Sequence, residues 1–172
     1  MEICVFGAGS IGGVIGSVLA NAGHEGSLIA RGAHLEALRK NGCRVETGGQ
    51  EFTVYPAASD TPADLGPQDI VVVAVKAPAM PAVAASIAPL LGPETAVVPA
   101  INGIPWWFFE GFPGGGPDVS VPKLGPNGAL SAAIPAERVM GCVVHMRSMV
   151  PEPGVIRHVA DNRLILGERR AV

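Results

Sequence analysis

The chain has 172 residues, the length of one ordinary domain. Charged residues make up 16% of it, against roughly 25% in a typical soluble domain, and 48% of the residues are hydrophobic. This composition excludes a disordered polypeptide, which would be rich in charge and poor in apolar side chains. The formal net charge of −3 indicates no basic surface, so nucleic acid is not an expected partner.

The sequence favours a cytoplasmic location. Residues 3–22 and 70–91 are apolar, but glycines interrupt the first stretch and Lys76 with three prolines interrupts the second, so neither is expected to span a membrane. Glu2 stands where a secretory signal peptide would carry positive charge. The three cysteines form no C-x-x-C pair and are interpreted as buried free thiols of a reducing compartment: Cys4, Cys43 and Cys142.

The first third of the chain alternates strand and helix patterns. Short apolar runs end at glycines, and small and apolar residues at helical spacing follow the first run. The predicted elements are a strand over 2–6, a helix over 10–21, a strand over 27–30, a helix over 34–40 and a hairpin of 43–47 with 52–55 around Gly48 and Gly49.

The remainder continues this alternation. Residues 70–75 are apolar at consecutive positions, which is typical of a strand buried on both faces. The alternation predicts an α/β fold, a doubly wound Rossmann-type parallel sheet. The predicted elements are strands over 70–75, 95–101 and 139–146, a helix over 78–91, a Gly/Pro-rich surface loop over 111–128, and a closing hairpin of 155–159 with 164–166.

A glycine-rich turn follows the first strand. Residues 7–12 fit the pattern G-x-G-x-x-G between a predicted strand and a predicted helix, the context that a dinucleotide site requires. Gly7 permits the tight turn, Gly9 lets a pyrophosphate approach the backbone, and Gly12 lets the helix pack close to the sheet. The helix N-terminus would then hold the phosphates. The alternative is a glycine-rich turn that packs and binds nothing.

Arg31 indicates which dinucleotide is bound. It follows the second strand, where NAD-binding proteins usually present a carboxylate to the ribose 2′-hydroxyl. A guanidinium offers a planar set of donors to a 2′-phosphate instead, which favours NADP over NAD. The alternative is an ordinary exposed arginine.

Two polar residues follow later strands. Lys76 ends the strand at 70–75, and Asn102 follows the strand at 95–101. Ligands of open parallel sheets bind outside the carboxyl ends of the strands, so both side chains are candidates for orienting a substrate. A solvated lysine and a turn-forming asparagine are the alternatives.

Six segments together resemble the amino-terminal domain of the ketopantoate reductases (2-dehydropantoate 2-reductases). They are GAGSIGG at 7–13, IARGAHLEALRKNG at 29–42, VVVAVKA at 71–77, NGIPWWFF at 102–109, AERVMGCVVH at 136–145 and PGVIRHV at 153–159. The glycine motif alone is generic, whereas this combination in this order is fairly specific and spans essentially the whole chain.

The resemblance implies an oxidoreductase that reduces 2-dehydropantoate to pantoate with NADPH, in pantothenate biosynthesis. The implied NADP contacts are Gly7, Ala8, Gly9, Ser10, Ile11, Gly12 and Arg31 at the phosphates, and Lys76 and Asn102 at the nicotinamide and substrate end. A further cofactor contact is implied after the sixth strand, near Arg147 or Ser148.

Members of this family continue into a helical carboxy-terminal domain that supplies the catalytic lysine. No residue of this chain matches that lysine, since Lys123 lies in the Gly/Pro-rich loop. We therefore expect residues 1–167 to form the NADP-binding domain and residues 168–172 to begin a linker to an absent domain. On this expectation the chain binds NADP(H) with little or no turnover, and no catalytic residue is assigned.

The aromatic residues at 106–109 either pack in the core or dock a second copy or the absent domain, and self-association is expected. The four histidines have no metal-ligand spacing, so no metal is expected, and His34 is placed on a helix surface.

Two alternative functions remain open. The chain could belong to a related oxidoreductase of another 2-oxo or hydroxy acid, or it could be a non-catalytic NADP-binding module.

Overall fold

The computed structural model describes residues 1–108 and 128–168. Strands and helices alternate through residue 41, three consecutive strands follow over 43–59, and two long strands close the described chain. The strands are β1 Glu2–Phe6, β2 Glu25–Ile29, β3 Cys43–Thr47, β4 Gln50–Val54, β5 Ala57–Ser59, β6 Gln68–Val73, β7 Leu91–Pro99, β8 Met140–Glu152 and β9 Val155–Glu168. The α-helices are α1 Ser10–Asn21, α2 Gly32–Asn41, α3 Met80–Ser86 and α4 Ala129–Ala133.

Five strands form a parallel sheet in the order β5-β2-β1-β6-β7. Two isolated parallel bridges, Val97 with Val139 and Ala100 with Cys142, bring β8 beside β7 as the next strand. Strand β1 lies in the centre, with β2 and β5 on one side and β6 and β7 on the other. This is the strand order of a dinucleotide-binding sheet. The predicted Rossmann-type α/β architecture is therefore confirmed.

The parallel sheet is buried on both faces, which explains its continuous apolar runs. Along β1, Ile3 and Val5 point into one hydrophobic cluster while Cys4 points into another. The first cluster lies under α1, α2 and a second sheet, and the second cluster lies under α3 and α4. Because strand side chains alternate between faces, every position of such a strand is apolar.

A second, four-stranded sheet in the order β4-β3-β9-β8 covers one face, and the sequence did not predict it. The predicted closing hairpin is wrong: residues 155–159 and 164–166 belong to one strand, β9, which runs antiparallel to β8. A bulge lies between the two segments, where Asp161 has φ 57° and the register shifts beside Arg147. The residues around this bulge are polar, as turn residues usually are, and the sequence therefore predicts a turn here.

Helix α1 lies between the two sheets, and its glycines allow this. A Cβ on Gly16 would come within 2.6 Å of Leu28 in the parallel sheet, and one on Gly13 would come within 2.6 Å of Ile156 in the second sheet. Six consecutive residues of α1, from Gly12 to Ser17, are buried. A helix with larger residues at these positions would push the sheets apart.

Other boundaries differ from the prediction. The helix expected over 78–91 is shorter: α3 ends at Ser86, a 3₁₀ turn follows at 88–90, and β7 starts at Leu91. Strand β5 and helix α4 were not predicted, because their three and five residues are too short to show a periodicity. Most of the loop predicted over 111–128, with Phe109 and Lys123, lies outside the described residues, as do residues 169–172 of the expected linker.

The prediction that the cysteines are buried free thiols is confirmed. Cys4, Cys43 and Cys142 are buried free thiols, and burial raises the pKa of the Cys4 thiol to about 11. Among residues 1–108 and 128–168, no helix has both the length and the apolar character needed to cross a membrane.

The packing of α1 gives a first prediction. A Cβ on Gly12 would collide with the Gly7 carbonyl oxygen and approach the Val5 side chain to 2.9 Å. Helix propensity alone would make Gly12→Ala stabilising by about 1 kcal/mol. We expect the clash to dominate, lowering the free energy of unfolding in urea by about 1–3 kcal/mol.

Gly9→Ala is the matched control. No atom lies within 4 Å of a Cβ at Gly9, which is the N-cap of α1, so this substitution should cost only the weaker capping by alanine, less than about 1 kcal/mol. Equal stability of Gly12→Ala and the parent chain would contradict the close packing of α1.

Candidate functional site

A cavity of about 990 Å³ opens at the carboxyl ends of the parallel strands. Its walls come from the segments that follow β1, β2, β6 and β7, and from the end of β8. This is the edge at which open α/β sheets bind ligands. The volume is at the upper end of the range of small-molecule and cofactor sites.

The glycine-rich turn lies in the middle of the cavity. Gly7 has φ +100°, and a Cβ there would come within 2.6 Å of Val75, so only glycine fits the turn. The amides of Gly7 and Ala8 both donate to the Ile29 carbonyl, at 3.1 and 2.9 Å. These bonds tie the turn to the end of β2 and place the N-terminus of α1 at the cavity.

The surface at Gly9 is bare backbone. Gly9 is exposed, lines the cavity, and has no atom within 4 Å of the position of a Cβ. The amides at the start of α1 have no acceptor within their own helix and carry a partial positive charge. The arrangement can therefore bind a phosphate or another anion.

Arg31 and Asp60 lie at one end of the cavity. Arg31 follows β2 and is the N-cap residue of α2, and Asp60 follows the neighbouring strand β5. Both residues are exposed and line the cavity. The sequence did not suggest Asp60, because nothing in it shows that the short β5 pairs with β2.

Lys76 and Asn102 lie on the other side of the glycine-rich turn. Lys76 follows β6, Asn102 follows β7, and both line the cavity. The Asn102 amide makes two bonds to one residue of β8: its Nδ2 donates to the Val144 carbonyl at 2.9 Å, and its Oδ1 accepts from the Val144 amide at 2.8 Å. Asn102 therefore continues the pairing of β7 with β8 and keeps one N–H of its amide for a ligand.

His34 belongs to the site, contrary to its expected place on a helix surface. Its ring is half-buried in the cavity wall. Nε2 lies 2.8 Å from the Ala8 carbonyl oxygen, and Nδ1 accepts from the Gly154 amide at 3.0 Å. The sequence could not show this arrangement, because His34 and Gly154 are 120 positions apart.

The far wall of the cavity comes from the turn between β8 and β9. Residues 150–153 line it, and sequence reasoning missed them. The Pro-Glu-Pro-Gly sequence at 151–154 signals a tight turn, but not its location beside α2.

The structure places Arg147 and Ser148 differently from their expected position after a strand. Both lie within β8, where Arg147 pairs with Ala160 and Ser148 with His158. Neither lines the cavity, whereas Val144, Met146 and residues 150–152 at the end of β8 do. Strand β8 runs to Glu152, beyond the expected end at Met146, so these two residues are inside it.

The aromatic segment is divided between core and surface. Trp106 and Trp107 are half-buried against the cluster under α3 and α4, with their rings 4.4 Å apart and nearly perpendicular. Phe108 is 45% exposed, and Phe109 lies outside the described residues. The two tryptophans thus pack against the core, and self-association stays a prediction.

Comparison with known proteins identifies relatives of the whole chain. A 2-dehydropantoate 2-reductase from Mesorhizobium japonicum is 44% identical over 98% of this chain and 52% of the relative. A crystal structure from Ralstonia solanacearum, provisionally described as a ketopantoate reductase, has a TM-score of 0.91 and 48% identity over 97% of this chain and 52% of that one. The 2-dehydropantoate 2-reductase of Porphyromonas gingivalis has a TM-score of 0.75 and 31% identity over 96% and 53% of the two chains.

These relatives are about twice as long as this chain, which spans about half of each. Residues 3–171 match the family described as ketopantoate reductase PanE/ApbA, which is nearly the full sequence. The chain therefore belongs to the PanE/ApbA ketopantoate reductase family.

Proposed function

We propose that this chain is the NADP-binding half of an oxidoreductase of the 2-dehydropantoate 2-reductase type. The observation that carries the proposal is the bare backbone of Gly9 at the N-terminus of α1, in a cavity with Arg31 at one end and Lys76 at the other. Family membership supports the reaction class, and the names of the relatives support the substrate.

The centre of the cavity fits a dinucleotide pyrophosphate. The open space at Gly9 admits phosphate oxygens to the backbone, which a Cβ would obstruct. Ser10 and Ile11 line the cavity in the first turn of α1, where amides have no helical acceptor. Because no acidic residue lies in that first turn, the phosphates meet no repulsion from it.

The Arg31 end fits a 2′-phosphate. The guanidinium is exposed at the carboxyl end of β2 and can donate two parallel hydrogen bonds to phosphate oxygens. Asp60 lies at the end of the adjacent strand, where its carboxylate would repel a 2′-phosphate. We therefore expect Arg31 to favour NADPH and Asp60 to oppose it.

The Lys76 end fits the reacting groups. A bound nicotinamide dinucleotide would supply a hydride to the C2 carbonyl of a 2-oxo acid. The Lys76 ammonium can attract the carboxylate of such an acid, and the remaining N–H of Asn102 can donate to an oxygen beside it. Both residues would orient substrate, and neither is assigned as the proton donor.

The 172-residue chain is predicted to bind NADPH without oxidising it. The resemblance implies that the catalytic lysine belongs to a domain outside these residues, and loss of a general acid alone costs roughly 10²–10⁴ in rate. We expect saturable quenching of tryptophan fluorescence by NADPH, with no loss of NADPH absorbance on addition of 2-dehydropantoate. Rapid oxidation would contradict this division of roles.

Arg31→Asp is predicted to reverse the dinucleotide preference. Loss of charge-assisted bonds to the 2′-phosphate should weaken NADPH binding by about 10- to 100-fold and leave NADH binding the same or tighter. The fold should tolerate the change, since Arg31 is exposed at the N-cap of α2 and aspartate is a favoured capping residue. Dissociation constants from calorimetry give the ratio.

Lys40→Asp is the control for charge. It makes the same change of charge in the last turn of α2, away from the cavity. An NADPH-to-NADH ratio that is unchanged in Arg31→Asp, or changed equally in Lys40→Asp, would remove the assignment of Arg31.

A further inference from the structure

We propose that His34 is a positioning residue that holds the glycine-rich turn in the orientation needed to bind phosphate. The proposal rests on the function proposed above and adds to it a residue that sequence reasoning left outside the site. His34 acts through its neighbours: its ring links the backbone of the turn to the Pro-Glu-Pro-Gly turn at 151–154.

The two hydrogen bonds determine the tautomer of the neutral ring. The Gly154 amide donates to Nδ1, so Nδ1 carries no proton. A neutral imidazole then carries its proton on Nε2, which donates to the Ala8 carbonyl at 2.8 Å. The contact with Gly154 thus selects the tautomer that can bind Ala8.

The bond to Ala8 orients the next peptide. A trans peptide is planar, with its C=O and N–H on opposite sides. No cis peptide is present among residues 1–108 and 128–168. With the Ala8 carbonyl held toward His34, the Gly9 amide points the opposite way. Rotation of this peptide would place a carbonyl oxygen where a phosphate oxygen would bind.

The other partner of His34 is rigidly held. Gly154 has φ +81°, and its carbonyl accepts from the Arg44 amide at 2.9 Å. A Cβ at Gly154 would come within 3.0 Å of Ala37, so the turn packs directly on α2. The β8–β9 turn is therefore a firm anchor, and His34 transmits its position to the glycine-rich turn.

Three variants separate the two bonds. His34→Phe keeps a ring and removes both bonds. His34→Asn keeps an acceptor near the position of Nδ1 but does not reach Ala8, whereas His34→Gln keeps a donor near the position of Nε2. We expect His34→Phe and His34→Asn to weaken NADPH binding about tenfold, and His34→Gln to remain within about threefold of the parent chain.

Rescue by glutamine distinguishes the bond to Ala8 from a general effect of losing the ring. Equal NADPH affinity of His34→Phe and the parent chain would overturn the proposal. Equal loss of affinity in His34→Phe and His34→Gln would overturn it as well.

A ligand-free measurement makes the test independent of the proposed function. Amide hydrogen exchange at residues 7–13 should be faster in His34→Phe than in the parent chain and close to the parent rate in His34→Gln. His24→Phe is the control, because His24 precedes β2 at the amino ends of the parallel strands, whereas the cavity lies at their carboxyl ends. Unchanged exchange in His34→Phe would overturn the positioning role. If exchange is faster in His34→Phe, as expected, but the parent chain binds no NADPH, only the proposed function is overturned.

Discussion

The close contact between α1 and the parallel sheet is the constraint on which the rest of the structure depends. The absence of a side chain at Gly12 lets the helix backbone pass beside Val5 and the Gly7 carbonyl. That contact fixes the direction of α1 and brings its N-terminus to the carboxyl end of β1. The phosphate-binding character of the cavity follows from this placement, because the unpaired amides and the helix dipole are properties of the helix end itself.

The same contact explains why both sheets line the cavity. With α1 so close to the parallel sheet, the second sheet can pack on its other side through Ile156. The long strands β8 and β9 of that sheet then carry the turn at 151–154 to the cavity, opposite the ends of β2 and β1. Two side chains of the cavity bond to this second sheet: Asn102 bonds to β8, and His34 bonds to the turn at 151–154.

The sequence predicted the parallel sheet and the glycine-rich turn because both depend on local patterns. The apolar run of β6 and the spacing of Gly7, Gly9 and Gly12 are readable within a few residues of each other. The second sheet and the linking role of His34 depend on contacts across more than a hundred positions, which no local pattern encodes. The bulge at Asp161 has the sequence signature of a turn, because polar residues are typical of both.

Binding of NADPH to Gly9→Asn tests the central claim most directly. Asparagine is a favoured N-cap residue and nothing lies within 4 Å of a Cβ at this position, so the variant should unfold at the same denaturant concentration as the parent chain or higher. If the pyrophosphate lies against the backbone at Gly9, calorimetry will detect no NADPH binding by this stably folded variant. Binding with the affinity of the parent chain would contradict the account.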